Sequence, residues 1–366
     1  MRRLLIPLLV VACGTTATPP EPAPADVPVA APDVEDVPDV IDVAEDVAED
    51  VPDVPDVPDI PDVPDVPDVP DVPPILDVPV PPDVEPTPEF DCDNLPQGPF
   101  PLVKLDGPMA SEDLAFDREG NVVGSNDQAI FKSKYQAKAK IFVPNMSFRA
   151  GLRFLPSGHL IVCSDQTGEL LRIDEKGVKH VLLTGLSYPN GIAIDLKGFV
   201  WFSEHDAGKV FRVHPYTGEK WLVTSKIANP NGLTFSPDYK TLYIDGFNGD
   251  GMIWALSIAP DGTPGKLVAW HKGQGTGWHD GMGVDACGNV YYADYGQTVI
   301  YRVTPDGKSS KLIIDGTTMP GAYLPNMQWG SGIGGWKKTS LYLPDGWNKG
   351  VFEVDVGVPA KAEPYP

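Results

Sequence analysis

Glu112, Ala150, Asn190, Asn231, Asp280 and Asn326 recur at matching points of a repeating unit. Three of them sit in related contexts: Tyr188-Pro189-Asn190-Gly191, Asn229-Pro230-Asn231-Gly232 and Trp278-His279-Asp280-Gly281. Apart from Ala150, which cannot ligate, oxygen is the donor these positions offer, with no imidazole or thiol among them. Carboxylate and amide oxygens suit a hard cation such as Ca²⁺, which takes about 6–8 oxygens at roughly 2.3–2.6 Å. Asn-Gly and Asp-Gly are also common turn dipeptides. Here, however, each unit carries separate hairpin residues further on, so these pairs precede a strand and do not close a hairpin. No Gly-x-Ser-x-Gly elbow supports a serine hydrolase, and no paired Cys or His spacing supports zinc.

The elements that must position these residues repeat about every 40–50 residues, the range of propeller blades. Each unit opens with a short strand, turns at a Gly-containing hairpin and continues in a second strand. The openings are Glu112–Asp117, Ala150–Phe154, Asn190–Asp195, Asn231–Ser236, Asp280–Asp285 and Asn326–Trp329. Third strands such as Lys209–Val213 and Val299–Val303 follow, with period-two patterning. Six such units without a long helical pattern predict an all-β, six-bladed β-propeller. First strands line the axis of a propeller, so their opening residues converge at one end of it.

On these motifs the chain resembles the senescence-marker/gluconolactonase family of lactonase-type propellers, over about residues 100–357. The carriers are Glu112 in Ser111–Asp117, Pro189-Asn190-Gly191, Pro230–Asp238 and His279-Asp280-Gly281-Met282. The resemblance implies one Ca²⁺ in the central channel, held by Glu112, Asn190, Asn231 and Asp280. It also implies a small-molecule lactone or ester as substrate. Asp280, the one Asp at a strand opening, is then expected to be the catalytic carboxylate that activates water or attacks the carbonyl. Arg149 is expected to meet an acidic substrate or the carboxylate product. Tyr188 and Asn326 are expected at the substrate, with Phe247, Trp278 and Trp329 as further walls. His279 stands where this family often has Pro, and is expected as a proton carrier or a brace. The competing reading is a non-catalytic propeller that binds a glycan or envelope protein with the same face.

The first 90 residues are of another kind. Met1-Arg2-Arg3, the apolar run Leu4–Val11 and then Val10-Val11-Ala12-Cys13 resemble a bacterial lipoprotein signal, too short to span a bilayer. Residues 1–12 are expected to be removed and Cys13 lipidated, tying the chain to the membrane. Gly14 in place of Asp favours the outer membrane. Residues 13–90 repeat Pro-Asp-Val with no aromatic before Phe90, and predict a disordered, extended acidic stalk. Residues 14–90 hold 22 acidic residues and no Lys or Arg, within a net charge of -23. Residues 91–366, the expected propeller, balance 29 acidic against 26 basic residues. That near-neutral domain offers no basic surface for nucleic acid, and it is expected to be a monomer. With Cys13 lipidated, Cys92, Cys163 and Cys287 remain. Cys163 reads as a buried strand residue. Cys92 is expected to bond Cys287, pinning the stalk's exit to the propeller face opposite the metal.

Overall fold

The structure is a computed structural model, and it describes residues 89–364 apart from 127, 147–149 and 320. The signal segment, Cys13, nearly all of the stalk and Arg149 therefore lie outside the described residues.

Six four-stranded antiparallel sheets follow one another around an axis. Their innermost strands are Leu114–Phe116, Leu152–Phe154, Pro189–Ile194, Pro230–Phe235, His279–Val284 and Gln328–Trp329. The second strands, such as Leu160–Ser164, Val200–Glu204 and Val290–Asp294, are buried along their whole length. Both faces of such a strand pack against neighbouring blades, so it reads as a short continuous apolar run. The outermost strands carry the solvent face: Lys179–Leu183 begins with three exposed residues, and so does Lys220–Thr224.

The core lies between blades. Ile161 and Cys163 of blade two pack with Ile192, Ile194 and Phe202 of blade three, and Trp201 packs with Leu233 and Phe235 of blade four. The first hairpins of blades one, three and five turn on an Asp whose carboxylate takes main-chain N–H groups from the turn. Asp117 accepts from Asn121, Asp195 from Phe199 and Asp285 from Asn289, at 2.8–2.9 Å.

Blade six closes the ring in a way the repeat does not announce. Its outermost strand is Val103–Lys104, from the start of the domain, paired antiparallel with Val351–Asp355. The segment leading to it runs along blade five, with Leu95 in the core and Phe100 bridged to Ile314. Cys92 and Cys287 are disulfide-bonded with their Cα atoms 5.5 Å apart, while Cys163 is a buried free thiol. Cys287 lies in the hairpin turn at the end of blade five's inner strand remote from Asp280. Among the described residues no helix is long and apolar enough to cross a membrane.

Candidate functional site

Blades three, four and five build the site's floor by one device. The pairing of each inner strand with its neighbour slips between Pro189 and Ile192, between Pro230 and Leu233, and between His279 and Met282. A bulge of this kind re-aims a side chain, and Asn190, Asn231 and Asp280 occupy the three bulges. The glycine that follows each one is there for close approach. A Cβ on Gly191 would stand 2.0 Å from the Asn231 carbonyl oxygen, and one on Gly232 would stand 2.3 Å from that of Asp280. Each inner strand thus leans on the next one's main chain, which only glycine permits. The amides of the bulges are satisfied locally. Gly191 donates to Ser203 Oγ, whose hydroxyl donates to the Asn231 carbonyl, and Gly232 donates to Asp245 Oδ1 at 2.7 Å.

Glu112, Tyr188, Asn190, Asn231 and Asp280 line a single cavity of about 520 Å³ at this end of the axis. Asp280 is buried and accepts a hydrogen bond from Tyr323 Oη at 2.8 Å, and its carboxylate is also bonded to the Asn231 amide. Burial pushes its pKa up to about 7. Behind it lies Asp245, fully buried, with Oδ2 unpartnered among the described residues. Burial, and then the charge of Asp280, hold that carboxyl well above the usual range. Tyr188 and Tyr323 are raised too, first by burial and then by nearby carboxylates, Glu112 and Asp280 included. The floor is therefore an acidic, desolvated pocket.

These residues fit a hard divalent cation. Glu112, Asn190, Asn231 and Asp280 bring side-chain oxygens to one cavity, and an orphaned buried carboxylate oxygen stands behind them among the described residues, an arrangement a cation would compensate. Among the described residues no group of three or more His, Cys, Asp or Glu side chains forms a metal cluster. The site's donor set differs from such a cluster because two of its four members are amides.

Several expectations need correction. His279 is fully buried, with its ring 4.3 Å from that of Tyr292. It packs inside blade five and does not line the cavity, so it is not placed to touch substrate, and burial lowers its pKa to about 4. Asn326 lies against Gly281, but its side-chain oxygen accepts from the Met327 N–H and it is not among the cavity's walls. Trp329 lines the separate cavity at the opposite end of the axis, where its indole N–H donates to the Val358 carbonyl. Arg149 lies outside the described residues.

Other wall residues went unread in the sequence: Tyr323, and a set from the loops that follow the second strands. His205 and Asp206, Phe247, Tyr295 and Trp347 all line the cavity, and of these only Phe247 was expected. Their signal is a recurrent acidic residue followed closely by an aromatic or His at the second strand's end, in Glu204-His205, Asp245-Gly246-Phe247, Asp294-Tyr295 and Asp345-Gly346-Trp347. The acids bond main-chain N–H groups of the loops, as Glu204 does to Ser187 and Asp294 to Thr276, both at 2.6 Å. His205 Nδ1 is hydrogen-bonded to Asp206 Oδ1 at 2.7 Å.

Residues 145–330 match the SMP-30/Gluconolactonase/LRE-like region as a protein family. A gluconolactonase of Zymomonas mobilis is 26% identical over 211 residues, 49% of this chain and 57% of that protein. A lactonohydrolase of Aspergillus oryzae is 37% identical over 93 residues, 22% of this chain and 20% of that protein. The chain thus matches little more than half the length of the first relative and a fifth of the second. Among solved structures, a gluconolactonase of Xanthomonas campestris superposes with a TM-score of 0.59 at 20% identity, covering 75% of this chain and 98% of that one. Regucalcin of Agrobacterium tumefaciens, a calcium-binding protein, superposes with a TM-score of 0.60 at 20% identity, covering 73% and 97%. These structural likenesses establish the shared fold.

Proposed function

The chain belongs to the SMP-30/Gluconolactonase/LRE-like family, and on that premise we propose that its axial cavity hydrolyses lactones or related esters with the help of a bound divalent cation, Ca²⁺ by the chemistry of its donors. The observation that carries this reading is the convergence of Glu112 and the three bulge residues Asn190, Asn231 and Asp280 on one cavity. The two relatives whose names specify lactones support the substrate class.

Glu112, Asn190, Asn231 and Asp280 would hold the cation, which when bound supplies the positive charge that polarises a lactone carbonyl. Asp280 takes the proton of the attacking water, with its Oδ2 fixed by Tyr323. On the wall, Asp206 accepts from His205 Nδ1–H, leaving Nε2 to take a proton from solvent and pass it to the departing alkoxide, while the proton held by Asp280 returns to water as the carboxylate product leaves. Tyr188 and Phe247 flank that imidazole, with ring centroids 5.2 and 5.9 Å away, and shield the reacting bond from bulk water.

The test is hydrolysis of a panel of lactones by the full chain. Turnover is expected to vanish with EDTA and to return with Ca²⁺. Turnover that ignores the chelator, or that no lactone elicits with Ca²⁺ present, overturns the reading. We also propose that Cys13 is lipidated and anchors the domain to a bacterial outer membrane. The order of charge, apolar run and Cys supports this, and a Cys13→Ser chain that stays in the membrane fraction would refute it.

A further inference from the structure

We propose that the mouth of this cavity selects lactones bearing a planar aromatic or extended apolar group over polyhydroxylated sugar lactones. The inference rests on reading the cavity as a lactone-hydrolysing site, and it names the substrate class.

Six rings pass the mouth in an unbroken arc. Tyr188 meets His205 at 5.2 Å, His205 meets Phe247 at 5.9 Å and Phe247 meets Tyr295 at 5.2 Å. Tyr295 then meets Tyr323 at 4.8 Å, and Tyr323 meets Trp347 at 5.4 Å. All six line the cavity, and they come from blades three to six and the loop entering blade six. Trp278 adds a seventh ring against Phe247 at 5.1 Å.

Elsewhere the large aromatics are mostly interior; here three of the six, with Trp278 beside them, are exposed, while Tyr323 is buried and His205 and Phe247 are half-buried. Trp347 is 63% exposed, Trp278 42%, Tyr295 39% and Tyr188 36%. A contiguous apolar surface left in water around a concave site marks a binding surface. The arc is also held in place. Phe247 and Tyr295 are edge to face at 82°, and Tyr295 and Tyr323 at 78°, so the rings brace one another before any ligand arrives and little ordering remains to be done on binding.

Four polar groups of the wall argue the same way, because each already has a partner within the protein. The Tyr323 hydroxyl is committed to Asp280, Ser111 Oγ to Ser125 Oγ, Lys349 Nζ to the Gly346 carbonyl and Asp206 to His205. A polyol entering here would bury hydroxyls without enough partners, and each such loss is costly. A flat aromatic or aliphatic group meets ring faces and gives up nothing.

The test uses intrinsic tryptophan fluorescence of the full chain with Ca²⁺, titrated with the lactam isostere of dihydrocoumarin and with gluconolactam. Neither probe is a lactone, so binding is read without turnover. Rates on dihydrocoumarin and glucono-1,5-lactone are measured alongside. The aryl lactam is expected to bind at least tenfold more tightly than the sugar lactam. Trp347→Ala is expected to raise KM for dihydrocoumarin about tenfold while kcat stays within about twofold, the loss of one aromatic contact. Equal or tighter binding of gluconolactam, or a Trp347→Ala that leaves KM unchanged, overturns the proposal. Brisk hydrolysis of the sugar lactone alone also overturns it, while sustaining the hydrolase reading. Selective aryl-lactam binding with no turnover of either lactone supports the aromatic selectivity and overturns hydrolysis instead.

Discussion

The Cβ that Gly232 lacks would lie 2.3 Å from the main-chain carbonyl oxygen of Asp280 and 2.8 Å from Met282 Cγ. Blade four's inner strand is therefore seated on blade five's at the residue that carries the site's central carboxylate. Gly232→Ala is expected to push the two strands apart, costing about 1–3 kcal/mol of stability, as overpacking does. It should weaken Ca²⁺ binding in the same protein. Denaturant unfolding and calorimetric titration check both, and a variant with wild-type stability and affinity would show that the contact is relieved elsewhere.

Tyr323 donates to Asp280 Oδ2 at 2.8 Å while its ring belongs to the aromatic arc. Tyr323→Phe separates the two roles, because it keeps the ring and removes the donor. The prediction is an intact fold with activity or metal affinity lowered about 10–100-fold, the usual cost of losing a group that orients a metal ligand. The expected signature is a fall in kcat or Ca²⁺ affinity with KM for aryl lactones little changed. A rise in KM alone would mean that the hydroxyl meets substrate and not Asp280.

Asp245 and Asp280 are both buried, and the charge of Asp280 adds to the cost that burial sets on ionising Asp245. Asp245→Asn retains an oxygen for the Gly232 N–H and deletes a carboxylate with an unpartnered oxygen. Without metal, this variant is expected to unfold at a higher temperature than the parent. With metal, Ca²⁺ affinity should fall about tenfold, within the range for supporting residues. Asp280→Asn should leave the fold intact and remove most hydrolysis. Thermal unfolding with EDTA and with Ca²⁺ separates these cases. An Asp245→Asn protein that binds Ca²⁺ as tightly as the parent would exclude Asp245 from the field that holds the ion.

The propeller was legible because its unit recurs, and three residues of the cavity floor because Asn-Gly or Asp-Gly recurs at the start of an inner strand. The failures have physical causes. Successive residues on a strand face opposite sides, so with Asp280 turned to the axis its neighbour His279 had to enter the blade, whatever its chemistry suggested. An inner strand runs from one end of the channel to the other, which is why Trp329, only three residues beyond Asn326, opens onto a different cavity. Val103–Lys104 is too short to show any period, and its partner Val351–Asp355 lies at the far end of the domain. Nothing local could have assigned it to blade six. The aromatic arc was hidden for a related reason, since its six members are scattered singly over six loops and become neighbours only once the ring closes.

The last prediction concerns that closure. The bond between Cys92 and Cys287 joins residues 195 apart in sequence and ties the entering segment to blade five, just before that segment supplies blade six with its outer strand. Constraining so long a loop restricts the unfolded chain, and removing a native disulfide commonly costs about 2–4 kcal/mol. The turn that holds Cys287 lies at the far end of the inner strand from Asp280, and Ala286 beside it lines the opposite cavity. Reduction, or Cys287→Ser, is therefore expected to lower the unfolding temperature while leaving hydrolysis and Ca²⁺ affinity at 25 °C near their starting values. The free Cys163 is fully buried, so it should not re-pair with Cys92 in the folded variant. Thermal unfolding with and without reductant, together with a lactone assay at 25 °C, decides the matter. Loss of activity in step with reduction, before any unfolding, would show that ring closure reaches the site.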